Sequence, residues 1–407
     1  MIAATLAAVV GLTPAARGAT PAEFATFVET VWPQAEAQGV SRETFDRAFK
    51  GITPDFSLPD LELPGRQKHS ARGQAEFTRP PQDYLDARAL ERLASQGRTL
   101  LAKYAGALDT IERRIGVDRA VVLAIWGRET AFGTHKLKHN TIRVLATLAY
   151  AGRRKDLFRR ELIFALRMLQ DRLVAPADMR SSWAGAMGLT QFMPSEFYSS
   201  AVDIDGDGRI DLIHSVPDAL GSAARQLQLK GWTKGLPWGF EVKTGARVDC
   251  ANEGPLNARP LAGWAGAGVV RVEGGALPRR HAQASAYLMS PGGTYGPQFL
   301  VTENFKVLRA YNTSDLYAVY VGHLADRIAG GGNFKTRWSA IAQLPTRDLA
   351  EMQERLKGLG YAIDKIDGKI GSNTRWQIGL YQRASRQKVD CWPTVHVLES
   401  LREGAKP

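Results

Sequence analysis

Cysteine is almost missing from this chain: 407 residues carry two, Cys250 and Cys391. No zinc-type spacing surrounds them, which removes the cysteine-rich zinc modules. The pair is far apart in sequence, so a disulfide between them is allowed but not demanded. Apolar runs long enough to span a bilayer are absent too. The apolar N-terminal stretch Met1–Leu12 is too short for that. Long basic runs are also lacking, although the formal net charge is +12. The charge suggests attraction to polyanions; no such run and no nucleic-acid motif singles out nucleic acid, and an anionic cell wall explains the charge equally well. What is present, 44% hydrophobic and 23% charged residues, describes a soluble globular protein. Its length leaves room for two or three domains.

The segment Asp118-Arg-Ala-Val-Val-Leu-Ala-Ile-Trp-Gly-Arg-Glu-Thr-Ala-Phe-Gly133 predicts a helix, with Asp118 as N-cap and Gly133 as stop. Val122, Ile125 and Glu129 then share one face, which puts a carboxylate on the apolar stripe. Desolvation there disfavours the charged form and favours a proton donor. A buried glutamate paired with a structural arginine fits the same pattern. Further on, Ser182-Trp-Ala-Gly-Ala-Met-Gly-Leu-Thr-Gln-Phe-Met-Pro194 crowds small residues together and ends on polar, aromatic and thioether side chains. That composition suits either tight packing or a sugar groove.

Together, Trp126-Gly-Arg-Glu-Thr-Ala-Phe-Gly133 and Ser182–Pro194 closely resemble the lytic murein transglycosylase B family. The resemblance runs from about residue 21 to about residue 330. It implies a mainly α, α+β chain with a lysozyme-like catalytic core. It also implies cleavage of peptidoglycan glycan strands between N-acetylmuramic acid and N-acetylglucosamine, leaving 1,6-anhydromuramyl ends. The family's acid matches Glu129. Its substrate contacts match Ser182, Gln191, Phe192 and Met193, the basic pair Arg153 and Arg154, and Tyr311, Asn312 and Tyr317 in the late Tyr-Asn motif.

One acid shapes the chemistry. Ordinary glycosidases use two carboxylates, and no second one stands beside either motif. Asp83, Asp86 and Glu91 read as helix surface. The resemblance implies that Glu129 protonates the glycosidic oxygen and then serves as base for the muramyl 6-hydroxyl, with no cofactor needed. Two alternatives stay open: a lysozyme-type hydrolase on the same substrate, and a non-catalytic wall-binding scaffold. The net positive charge fits an anionic cell wall as partner.

A second motif stands apart. Asp203-Ile-Asp-Gly-Asp-Gly-Arg-Ile-Asp211 matches the start of an EF-hand calcium loop. Asp203, Asp205, Asp207, the Arg209 carbonyl and Asp211 are the expected ligands. His214 replaces the closing glutamate, and Asp218 is the nearest substitute. The reading is a structural calcium ion.

Along the chain, Met1–Leu12 followed by Ala16-Arg-Gly18 predicts a signal peptide over 1–18 and an exported, periplasmic protein. The positive n-region is missing, which leaves a start further upstream open. No cysteine lies near that cleavage site for a lipid anchor. Phe24, Phe27, Val28 and Val31 predict helix in 21–50. Residues 51–82 read as an irregular arm and 83–232 as mostly helix. Val216–Lys230 is predicted helical with Pro217 near its start and Gly231 past its end. A β-rich insertion is expected at about 233–300, and helix returns at 304–328. The catalytic domain is assigned to 19–332. The tail, 343–403, resembles a three-helix peptidoglycan-binding domain. Leu356, Leu359, Ile370, Ile378 and Tyr381 are its expected core, and Cys391 stands where that family has glycine.

Overall fold

The computed structural model describes residues 21–63 and 79–404. The signal-peptide expectation at 1–18 and residues 64–78 of the proposed arm lie outside them. Among the described residues no helix is long and apolar enough to cross a membrane. The chain divides into two compact units.

The first unit contains residues 21–63, 137–187 and 192–195. Helices Pro21–Glu29, Trp32–Ala37 and Arg42–Phe49 accompany Thr141–Ala151 and Lys155–Gln170. Phe24, Val28, Val31, Phe45, Leu145, Leu148, Phe158 and Leu162 are buried. Phe24 and Val28 fall one helical turn apart, as the sequence predicted. Caps match residue chemistry: Ser41 accepts from the Thr44 amide and Asn140 from the Arg143 amide. The sequence did not suggest the small antiparallel ribbon of β1 (His139–Asn140) and β2 (Arg180–Ser181). Two-residue strands carry no readable alternation.

The second unit contains 79–136, 188–191 and 196–404. At its centre is helix Arg119–Thr130, buried from Ala120 to Gly127. Such a helix shows no apolar stripe, because every face packs. Asp118 precedes it but makes no side-chain cap. The helix ends at Thr130, before the predicted stop. Ala131, Phe132 and Gly133 all take the left-handed conformation, at φ 46°, 57° and 79°. Around it pack Ala87–Lys103, Ala105–Arg114, Val216–Leu229, Glu303–Tyr311 and Asp315–Ile328. The expected helix 304–328 is therefore two helices, broken at 312–314, where Ser314 caps the second through the Tyr317 amide.

The insertion forms five strands: β3 (Gly239–Lys243), β4 (Arg259–Pro260), β5 (Val270–Arg271), β6 (Ser285–Met289) and β7 (Gln298–Thr302). Their spatial order is β4-β6-β7-β3-β5, all antiparallel. Trp264, from the short helix Leu261–Gly266, fills a separate small core with Leu288 and Leu300.

The tail forms three helices, Thr346–Gly358, Ser372–Ala384 and Val395–Arg402. Their core holds Met352, Leu356, Ile363, Ile378, Tyr381, Val397, Leu398 and Leu401. Leu359, expected inside, is 37% exposed, and Ile370 is only half-buried. Leu359 caps the end of its helix, where the backbone turns toward solvent. Gln353 organises the following turn by accepting from the Asp367 and Gly368 amides at 2.9 and 2.8 Å. Cys391 adopts φ 56°, so the cysteine keeps the left-handed turn that glycine would favour. It is disulfide-bonded to Cys250, which joins the tail to the insertion. Gly379 sits at that junction. A Cβ there would meet the Cys391 sulfur at 2.5 Å and the Ala251 Cβ at 2.9 Å.

Candidate active site

Glu129 occupies the last turn of the buried helix Arg119–Thr130 and is half-buried. Its Oε1 accepts a 2.6 Å hydrogen bond from the Tyr317 hydroxyl. Tyr317 is 1% exposed. Sequence reasoning made it a groove contact; the structure has it hold the carboxylate. Its ring stacks parallel to that of Tyr311, with centroids 6.5 Å apart and 6° between planes. Burial, then the negative charge of Glu129, pushes both phenols well above the usual tyrosine range. Both therefore stay protonated and can only donate or accept as neutral hydroxyls.

The Tyr311 hydroxyl donates to the Thr190 carbonyl at 2.6 Å, and Thr130 Oγ1 donates to the Leu189 carbonyl at 2.7 Å. The backbone of 188–191 is thus fastened from two sides. Gly188, at φ 70°, allows this approach, since a Cβ there would lie 2.5 Å from the Leu212 carbonyl oxygen. Gln191 is half-buried, also left-handed at φ 57°, and its amide donates to the Gly188 carbonyl at 3.1 Å. Asn312 ends helix Glu303–Tyr311, half-buried. Arg128 donates to the Tyr84 hydroxyl at 2.9 and 3.2 Å and lies over the rings of Tyr84, Tyr317 and Tyr320. The charge of a second carboxylate, Glu196, also reaches Tyr311; Glu196 is 3.6 Å from the Lys230 ammonium.

The other predicted contacts belong to the first unit. Ser182 is half-buried and opens a tight turn, its amide donating to the Ala186 carbonyl at 2.9 Å. Met187 and Phe192 pair backbone to backbone at 2.8 Å each way; Phe192 is 2% exposed, and Met193 is half-buried. Arg153 and Arg154 remain more than half exposed, but both pair with the buried Asp60, Arg154 at 3.2 Å. Arg154 also lies over Phe158.

The acidic loop is reshaped relative to expectation. Carboxylate oxygens of Asp203, Asp205 and Asp218 come within 4.8 Å of one another. Asp207 and Asp211 are outside that group. Asp207 accepts from the Arg209 amide, and Asp211 from the Ile213 and His214 amides, each at 2.8 Å. Asp203 also accepts from the Gly206 and Gly208 amides, at 2.6 and 3.0 Å, so acidic side chains both inside and outside the cluster fasten the loop. Asp218, 1% exposed, brings its carboxylate to the group from the first turn of helix Val216–Leu229. It also accepts from the Ile204 and Asp211 amides at 2.8 and 3.0 Å. Three hard oxygen donors so close together fit calcium or magnesium.

The "Transglycosylase SLT domain" model matches residues 23–326. The chain belongs to this transglycosylase SLT family. A second model, for a peptidoglycan binding domain, matches residues 346–393. Membrane-bound lytic murein transglycosylase B of Escherichia coli K12 is 32% identical over 241 residues, 56% of this chain. The chain spans 61% of that curated relative's length. SltB3 from Pseudomonas aeruginosa, solved with NAG-anhNAM-pentapeptide, superposes with a TM-score of 0.82 at 39% identity, covering 93% of this chain and 99% of that one. The Escherichia coli lytic transglycosylase SLT35, solved with calcium, superposes at 0.58 with 26% identity, covering 75% of this chain and 92% of that one.

In this SLT chain, sequence reasoning missed Arg128, Tyr84, Tyr320 and Thr130. Arg128 and Thr130 flank Glu129 directly, so adjacency was an available signal. Tyr84 and Tyr320 are brought in only by the fold. Of the carboxylates set aside as helix surface, Asp86 caps a helix through the Ala89 amide, and Glu91 binds Arg98 and Arg327.

Proposed function

We propose that this chain is a peptidoglycan lytic transglycosylase, cleaving the β-1,4 bond between N-acetylmuramic acid and N-acetylglucosamine. The observation that carries it is Glu129, half-buried at a helix end with a neutral tyrosine donor on its carboxylate. Glu129 donates its proton to the bridging oxygen as the C1–O bond breaks. The resulting carboxylate takes the proton of the muramyl 6-hydroxyl, whose oxygen closes on C1. No water is consumed, and the acid is regenerated with one product ending in 1,6-anhydromuramic acid. The Tyr317 hydroxyl stabilises the carboxylate between these steps.

Ser182, Gln191, Phe192, Met193, Arg153, Arg154, Tyr311 and Asn312 are the proposed substrate contacts. Phe192 and Tyr311 act mainly as walls and backbone holders. Asp203, Asp205 and Asp218 would hold a calcium ion, which pins the loop ahead of helix Val216–Leu229 and takes no part in bond cleavage. The calcium-bound SLT35 structure supports this reading. The NAG-anhNAM-pentapeptide complex of SltB3 supports the substrate and the anhydro product. The Cys250–Cys391 disulfide supports an oxidising, extracytoplasmic location, consistent with the periplasm.

Digestion of purified sacculi with product analysis by mass spectrometry tests the proposal. Wild type is expected to release anhydromuramyl ends, and Glu129→Gln none, while still binding sacculi. Glu196→Gln is expected to remain active. Reducing sugar ends, together with loss of activity in Glu196→Gln, would instead establish a two-carboxylate hydrolase.

A further inference from the structure

The tail module is joined to the insertion by its disulfide, and a buried set of charges carries it on to the catalytic helices. Arg375, from helix Ser372–Ala384, is 2% exposed. It donates through Nη2 to Glu253 at 2.5 Å and through Nε at 3.2 Å; Glu253 is fully buried in the insertion. Burial pushes Glu253 up, to about 7, and Arg375 opposes that push. The same Nη2 lies 3.6 Å from Asp315 Oδ2. Asp315 Oδ1 is 2.8 Å from Arg309 Nε, an ion pair not aligned as a hydrogen bond.

The position of Asp315 gives this cluster its significance. Arg309 and Asp315 bracket the turn that carries Tyr311 and Asn312. Asp315 opens the helix on which Tyr317 stands two residues later. Two guanidinium groups and two carboxylates balance only while Arg375 is present. Without it, Asp315 would keep Arg309, which is 35% exposed, and the buried Glu253 would lose the cation that opposes its burial. A buried charge that loses its partner moves or takes up a proton. Asp315 in turn loses the ion pair that ties the start of its helix to the module.

We propose that Arg375, in the C-terminal module, is a positioning residue for the catalytic turn: through Asp315 it fixes the helix that holds the Tyr317 hydroxyl against Glu129. This rests on Glu129 being the catalytic acid. It makes the module a structural part of the active centre, beyond any affinity of its own for the wall.

A double-mutant cycle on the full chain tests this, read on a soluble glycan of alternating N-acetylglucosamine and N-acetylmuramic acid. Arg375→Met is expected to lower kcat about 10–100-fold with little change in KM, and Arg375→Lys to recover part of the loss. Tyr317→Phe lowers kcat by its own route. If Arg375 acts through Tyr317, the double variant is no worse than the poorer single one, within about threefold. Losses that multiply overturn the proposal, as does a change confined to KM. Circular dichroism checks folding; should Arg375→Met not fold, Arg375→Lys carries the same cycle. A wild type that yields no anhydro product defeats the functional reading itself, whereas an active wild type with multiplying losses defeats only the role of Arg375.

Discussion

Replacing Tyr317 with phenylalanine removes one oxygen from a side chain that is 1% exposed and leaves the ring stacked on Tyr311. Shape and packing are nearly conserved, so the change isolates the 2.6 Å hydrogen bond to Glu129. A hydrogen bond to a charged group contributes about 1.5–3 kcal/mol. The bond is strongest when Glu129 has given up its proton, because the acceptor then carries full charge. Its loss therefore falls on the transition state and the intermediate more than on bound substrate. At about 1.4 kcal/mol per decade, kcat should fall roughly 10–150-fold, with KM within about threefold of wild type. The assay is the initial rate of anhydro-product release from a soluble glycan, with thermal unfolding run in parallel. A kcat within threefold of wild type would refute the reasoning. So would a loss explained by unfolding.

Three further outcomes follow from the same geometry. Adding calcium to metal-stripped protein should raise the unfolding midpoint, by about 2.7 kcal/mol of stability at a hundred times Kd; Asp218→Asn should abolish the response, and a wild type indifferent to calcium would remove the metal site. His323 is 5% exposed, stacked on Phe334 at 3.7 Å, and burial followed by the charge of Arg327 pushes it down to about 3. The unfolded chain takes up this proton below about 6.5 and the folded chain does not, so stability present at neutral pH should fall between about 6.5 and 3, by at most roughly 1.4 kcal/mol per pH unit; denaturant titrations of His323→Gln should show a flatter slope, and an equal slope would reject the assignment. The Cys250–Cys391 bond closes a separation of 141 residues, for which chain entropy alone gives up to about 5 kcal/mol; the Cys250→Ser, Cys391→Ser double variant should show the tail melting earlier by calorimetry, and unchanged melting would count against the staple.

Local patterns proved the most legible. Glu129, the Ser182–Pro194 run and the order of tail motifs are contiguous, so one stretch of sequence displays each of them. Helix boundaries followed from caps such as Ser41 and Asn140, and from Pro217 near the start of helix Val216–Leu229. Legibility failed where tertiary demands override spacing. Helix Arg119–Thr130 is buried on every face, so the argument from an apolar stripe led to Glu129 by an incomplete route. The acidic loop carries four alternating carboxylates, yet only Asp203 and Asp205 belong to the cluster, and a residue from the next helix joins them. Spacing identifies a loop of that type but does not decide which oxygens face inward.

The tail exposes a different gap. Its sequence resembles a wall-binding module, and such a module on a flexible tether acts by raising local substrate concentration, which depends on freedom to reach. The contacts that remove that freedom join residues more than a hundred positions apart: Arg375 with Glu253, Arg383 with Asp249, Cys391 with Cys250. No periodicity or motif connects such positions, since each partner looks ordinary in its own segment. Once joined, they hold the module against the insertion through a covalent bond, a buried ion pair and the close approach at Gly379. A glycan strand bound to a module held in this way would be offered at a fixed angle to the insertion. Its benefit would be orientation rather than reach, and it would persist when substrate is abundant, a condition under which a flexible tether contributes little.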